Sequence, residues 1–229
     1  MLAAIRFAPR SLGTWRRAVS TLPSNPRIKV FDDPLSPATY ILTYLDTNPP
    51  SPKLAIGTST AIPPTPQSFS ENHRFLDILN EVVAEYGHED EDVTSQAKAF
   101  ASPGGSNLGS GGVFFSAQRS RKASSRKQGA GGGAGGSGAG GASAQGGAGG
   151  AGKGGWVHLS DRRNPPGFGR IAWPEDILAS VEVDARGKVV GTAQPSRTYR
   201  VVTREGILGL SPFLEGKLIE RLKREEATS

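Results

Sequence analysis

Phe75, Ile78, Leu79, Val82, Val83 and Tyr86 recur at three- and four-residue spacing and draw one apolar stripe along a helix. Ser70 precedes them as an N-cap, Glu71 suits the positive end and Gly87 is a natural stop, so the spacing predicts a helix over 70–86. Asp77, Glu81 and Glu85 fall on its other faces and make the outer side acidic. Upstream the period changes. Residues 27–31 and 40–45 are short β-rich runs, 46–52 is a proline-bearing turn, and 53–58 returns as a partner strand. A lone hairpin is marginal, so the helix stripe is expected to cover this one. Pro63, Pro64 and Pro66 read as an extended connection, and 89–92 as a solvated acidic loop after the helix.

Apolar periodicity stops between about 101 and 155. Residues 129–155 hold 16 glycines in 27 positions, with little to bury against the entropy of ordering. Structure is expected again from Trp156. Pro174 with Glu175 and Asp176 predicts a short helical turn through Ala179. Residues 181–191 read as a hairpin turning at 185–188, and 198–204 is the strongest strand pattern in the chain. A last helix starts with Ser211 as N-cap and Pro212 at its first position. Leu214, Leu218 and Leu222 form its apolar line, and Glu220 and Arg224 are spaced to pair. The expected fold class is therefore α+β. Two small modules, 27–100 (β-hairpin plus helix) and 156–226 (short strands plus C-terminal helix), are joined by a disordered, basic, then Gly-rich linker over 101–155.

Charge refines this picture. The formal net charge is +6, but residues 31–118 carry 3 basic and 11 acidic residues, whereas 119–170 carry 9 basic and 1 acidic. Residues 1–30 carry 6 basic residues and no acid. Arg6, Arg10, Arg16 and Arg17 alternate there with Leu2, Ile5, Phe7, Leu12 and Trp15. That arginine-rich, acid-free amphipathic pattern describes a mitochondrial transit peptide over 1–20, with processing near 16–20 and the mitochondrial matrix as destination. No apolar run approaches the roughly 18 residues that a membrane-spanning helix needs. The chain has no cysteine, which excludes disulfides, cysteine nucleophiles and thiolate metal sites.

Two glycine motifs imitate phosphate loops. Gly167-Phe168-Gly169-Arg170-Ile171-Ala172 fits G-x-G-x-x-A, but Pro165 and Pro166 stand where a strand must run, and Pro174 falls where the helix should be under way. It reads instead as a loop holding Phe168 and Trp173 against the C-terminal core. The run from Gly147 to Gly152-Lys153 lacks the hydroxyl residue that would ligate magnesium, because Gly154 takes its place. His73, His88 and His158 match no metal spacing, and no nucleophile–base pair is spaced for catalysis. No enzyme activity, cofactor, metal or small-molecule substrate is expected.

What remains is cationic. Arg119, Arg121, Lys122, Arg126 and Lys127 stand within nine residues, and Arg162, Arg163 and Arg170 follow the glycine run among Trp156, His158 and Phe168. Arginines pair bidentately with phosphate and stack on splayed bases, so these eight residues are the candidate RNA contacts. The blocks YILTYLDTNPPSPKLAIGTSTAIPPTPQSFSENHRFLDILNEVVAEYG and GRIAWPEDILASVEVD…GKVVGTAQPSRTYRVVTREGILGLSPFLEGKLIERLKREE resemble a fungus-specific protein of the mitochondrial small ribosomal subunit. The resemblance implies a non-enzymatic mitoribosome subunit with rRNA and ribosomal proteins as partners, and it carries over no functional residue. The competing expectations are an accessory or assembly subunit of another matrix or respiratory complex, and a small matrix enzyme.

Overall fold

The described strands are all paired antiparallel, in three sheets covered by three helices. In this computed structural model the described residues are 20–101, 154–167 and 170–228. The expected transit peptide apart from Ser20, the expected linker apart from Ala101, Gly154 and Gly155, and the five cations of 119–127 lie outside them. The first sheet is a five-stranded meander in chain order: β1 (Ser20–Leu22), β2 (Asn25–Asp32), β3 (Tyr40–Thr43), β4 (Gly57–Ser59) and β5 (Phe69–Glu71). The fold thus begins before residue 27, with Leu22 fully buried. Alternation sets the register. Val30 faces Leu42 with both side chains in the main core, while Phe31 faces Ile41 and packs with Ala55 in a small second cluster.

The first helix, α1 (His73–Tyr86), starts three residues later than expected, because Ser70 belongs to β5 and Asn72 is the cap. Asn72 does what a serine cannot. Its Oδ1 accepts from the Arg74 amide at 3.0 Å while its Nδ2 donates to the carbonyls of Lys53 and Ala55 at 3.0 and 2.7 Å, tying the preceding loop to the helix start. The acidic run expected as a solvated loop instead opens a second helix, α2 (Glu91–Ala101). Asp90 caps it through the Asp92 amide at 2.9 Å, Glu91 and Asp92 meet its positive end, and Val93, Ala97 and Phe100 line its buried face.

The second half opens with β6 (Gly155–Ser160), where structure was expected to return without an assigned strand; Val157 and Leu159 point into the core. It pairs with β7 (Ile177–Val183), which pairs in turn with β8 (Val189–Pro195), so the expected hairpin is present and longer. The helical turn is confined to a 3-10 turn, Pro174–Asp176. Of the expected strand 198–204 only β9 (Val202–Thr203) pairs, with β10 (Gly206–Ile207). The last helix, α3 (Pro212–Thr228), follows expectation. Ser211 Oγ accepts from the Leu214 amide at 3.1 Å, Leu214, Leu218 and Leu222 are buried, and Glu220 lies 3.6 Å from Arg224.

The two expected modules share one core. Leu22, Phe75 and Val93 belong to the same buried cluster as Val181, Leu208 and Leu218. The α1 stripe packs mainly against α3 and β8 of the second half, and touches the first through Phe75 stacked on Tyr44. The Asp90 carboxylate that caps α2 also accepts from the hydroxyl of Ser211, the cap of α3, so two helix starts from opposite halves meet at one buried carboxylate. No described helix is long and apolar enough to cross a membrane.

Both ends of the segment 102–153 arrive at the turn between β7 and β8. Gly187, at φ +73°, packs so closely on the end of α2 that an added Cβ would sit 2.3 Å from the Ala97 carbonyl, and Gly154 abuts the Val183 carbonyl. Replacing 102–153 with a short Gly/Ser loop is expected to leave the fold intact and to stabilise it by about 2 kcal/mol, from an approximately eightfold shorter loop. Denaturant unfolding of the two chains checks this. Glu215, in the first turn of α3, gives a second expectation. Burial raises its pKa above the usual 4.5, against the opposing charge of Arg27, whose Nε is 3.3 Å from Oε2. The folded state therefore favours the proton: the stabilising contribution is full below the usual value and is lost as pH rises through the raised one. Glu215→Gln should gain stability relative to the parent as pH rises toward neutrality, measured by urea unfolding across that range.

Candidate nucleic-acid interface

Arg162 and Arg163 are neighbours with opposite fates. The Arg162 side chain, 35% exposed, reaches α2. There Nε donates to Asp92 Oδ2 at 2.8 Å and Nη2 to Glu91 Oε1 at 2.8 Å, and these two acids raise its pKa further. It joins the basic half of the chain to the acidic half. Arg163 points the other way and is 3% exposed. Its Nε donates to Asp176 Oδ1 at 2.8 Å, Nη1 to the Val201 carbonyl at 2.9 Å, and Nη2 to the carbonyls of Arg200 and Glu175 at 2.8 and 3.0 Å. Its guanidinium also lies over the Tyr199 ring, 5.4 Å from the centroid. No phosphate can reach it. Neither arginine is an open RNA contact as the sequence alone implied, because carboxylates of α2 occupy the Arg162 fork and Asp176 with three backbone carbonyls occupies that of Arg163.

The carboxylates around Arg163 are as buried as it is. Asp161 Oδ1 accepts from the amides of Arg163 and Gly209 at 2.8 and 2.9 Å, and Oδ2 accepts from the Tyr199 hydroxyl at 2.7 Å. Burial pushes the Asp161 carboxyl up; Arg163, Tyr199 and the two amides oppose that shift. The same burial, reinforced by Asp161, pushes the Tyr199 phenol well up. Gly209 packs closely at this point, where an added Cβ would sit 3.0 Å from the Arg163 nitrogen and 3.2 Å from Asp161 Oδ1. The cluster is closed to solvent and its polar groups are satisfied, so it braces the loops around it.

Those loops form a surface the sequence did not single out. Arg163 holds the carbonyls of 200 and 201, the Arg200 amide donates to the Glu175 carbonyl at 3.1 Å, the Thr198 hydroxyl to the Pro174 carbonyl at 2.8 Å, and the Val201 amide to Glu71 Oε1 at 3.0 Å. Two open depressions of about 620 and 670 Å³ lie on either side of a shared wall of Glu175, Arg200 and Arg204. His73 and Thr203 border the first, and Trp173, 66% exposed, borders the second. Trp173 is therefore a surface side chain, where a core-facing one was expected. Neither Arg200 nor Arg204 makes an ion pair among the described residues. The signal was present only in part: Tyr199, Val201, Val202 and Thr203 are buried while Arg200 and Arg204 are exposed.

Arg170 is exposed, with its amide on the Gly167 carbonyl at 3.0 Å; Phe168 lies outside the described residues. The histidines are dispersed. His158 Nδ1 meets Ser180 Oγ at 2.9 Å and burial lowers its pKa, while His88 faces Glu89 at 3.7 Å. Among the described residues no group of acidic and histidine side chains is placed to hold a metal ion. In comparisons with known proteins, no family model, no curated protein and no solved structure matches the chain.

The two arginines can be separated by substitution. Arg162→Ala should cost about 1 kcal/mol or less, as a partly exposed ion pair does. Arg163→Ala should cost about 3–5 kcal/mol, since it leaves two carboxylates buried without their cation. Urea unfolding of the two single variants compares them directly, and equal losses would remove the structural role given to Arg163.

Proposed function

We propose that this chain is a non-catalytic, structural component of the mitochondrial small ribosomal subunit, imported into the matrix, where it contacts rRNA and neighbouring proteins in support of translation. The observation that carries this reading is the run 119–127. Five cations stand within nine residues there, with no acid and no apolar side chain larger than alanine. Such a run has no core to join, and its charges are most favourably met by a polyanion whose condensed counterions are released on contact. The acid-free arginine-rich N-terminus supports the matrix address. The likeness of two sequence blocks to a fungal small-subunit protein supports the assembly. Arg119, Arg121, Lys122, Arg126, Lys127 and Arg170 are the proposed contacts from the sequence; Arg162 and Arg163 are withdrawn from that set because folding uses both.

Sucrose-gradient sedimentation of matrix extract, at low and high salt and after ribonuclease, tests the proposal. Co-sedimentation with the small subunit, lost after ribonuclease, is the expected result. Reversing Arg121, Lys122, Arg126 and Lys127 to glutamate should lower the small-subunit fraction by roughly tenfold at moderate salt, because four fewer phosphates are neutralised. Normal incorporation of that variant, or a position at the top of the gradient throughout, counts against it.

A further inference from the structure

The braced wall of Arg200 and Arg204 and the uncovered Trp173 have no task in the fold. Arg200 and Arg204 are exposed, without ion-pair partners among the described residues, and the indole is 66% exposed. Yet the backbone at residues 200 and 201 is tied on several sides. The Arg200 carbonyl is held by buried Arg163, its amide by Glu175, and the next amide by Glu71. A fixed platform presenting cations beside an aromatic face binds with little ordering cost. Each depression, at about 620 and 670 Å³, is in the range that accepts a nucleotide-sized group.

We propose that this surface binds single-stranded RNA, with a base stacked on Trp173 and the adjoining phosphates on Arg200 and Arg204. Base stacking on an exposed indole needs an unpaired base, which selects single strands over duplex. The carboxylates in the same walls, Glu175 and Glu205, repel a bare polyanion but accept from base amino groups and from ribose 2′-hydroxyls. Glu71, in the first depression, is already engaged with the Val201 amide. That mixture of charges fits nucleotides set in register better than a run of phosphates alone. The inference rests on the RNA-contact part of the reading above and adds a defined site, separate from 119–127, with a preference for unpaired strands.

The test uses the purified full chain, a labelled oligouridylate and a labelled blunt-ended RNA duplex, with fluorescence anisotropy as readout. Trp173→Ala should weaken the oligouridylate by roughly 5- to 100-fold, the loss typical of one stacked base. Trp173→Phe should recover most of it, and Arg200→Ala with Arg204→Ala should weaken it by a similar factor. Duplex binding should change less than twofold in Trp173→Ala, and circular dichroism should show the fold retained in every variant, as expected for exposed side chains. Unchanged oligouridylate affinity in both the tryptophan and the double arginine variants overturns the proposal, as does Trp173-dependent binding of an acidic peptide with no such dependence for RNA. If those variants bind RNA normally while the parent still sediments with the small subunit, the groove fails and the ribosomal reading stands. If the parent stays at the top of the gradient but the Trp173 loss is found, the reverse holds.

Discussion

A guanidinium taken out of water costs several kcal/mol unless its charge is met and its donors are filled. Arg163 meets both conditions only by drawing distant segments to one point: the carboxylates of Asp161 and Asp176, and the carbonyls of Glu175, Arg200 and Val201. Because the fork is planar and rigid, its partners must come to it in fixed directions. The end of β6, the 3-10 turn 174–176 and the 199–201 segment are therefore located relative to one another by a single side chain. Asp161 extends the same constraint to Gly209 and Tyr199. Trp173, Arg200 and Arg204 are placed on the surface by what lies beneath them.

The same non-local logic makes one body of two halves. Neither half can finish its helices alone. The α1 stripe needs α3 and β8, and the α2 face needs β6, whose Gly155 lies against the Phe100 ring. Ion pairs between the halves, such as Arg74 with Glu225 at 2.9 Å and Arg221 with Glu81 at 3.0 Å, are exposed and contribute little singly. The shared Asp90–Ser211 contact is different. It is buried, and it fills the start of two helices at once. Cooperative unfolding of the whole described body follows from this arrangement, since one buried cluster draws its side chains from both halves.

How much of this was legible depends on whether the information was local. The α+β class, the α1 stripe and the α3 line were readable because each is a one-dimensional period, and Ser211 with Pro212 marked a start whose chemistry needs no partner. The second helix was hidden, as its acidic first turn looks like a solvated loop until Asp90 is seen as a cap and Val93, Ala97 and Phe100 as one face. Residues 198–204 alternate as a strand does, yet their backbone groups are met by Arg163, Glu71 and Glu175, and no local pattern announces that capture. Arg162 and Arg163 differ in nothing that sequence can show. They diverge because adjacent residues project to opposite sides, one toward α2 and one into the core. The shared core was equally invisible, since amphipathic elements state that they need a partner without stating which.

Charge segregation explains why only some of the arginines are left for a partner. The acidic stretch 31–118 and the basic stretch 119–170 meet, among the described residues, where Glu91 and Asp92 of α2 engage Arg162, the first arginine after β6. Cations inside the fold are thus consumed wherever acids or carbonyls converge on them. Arg200 and Arg204 are not consumed in this way: their side chains are exposed and make no ion pair among the described residues, and the run 119–127 carries five cations and no acid. The two populations differ in what binding requires of them. On the proposed reading, cations in a glycine-flanked run would act mainly through their number, with a steep dependence on salt and little regard for shape. Arg200 and Arg204 would act beside an aromatic face, so their contribution would depend on how the partner is shaped and on whether its bases are unpaired. A chain that carries both can separate the strength of its attachment from the choice of where it attaches.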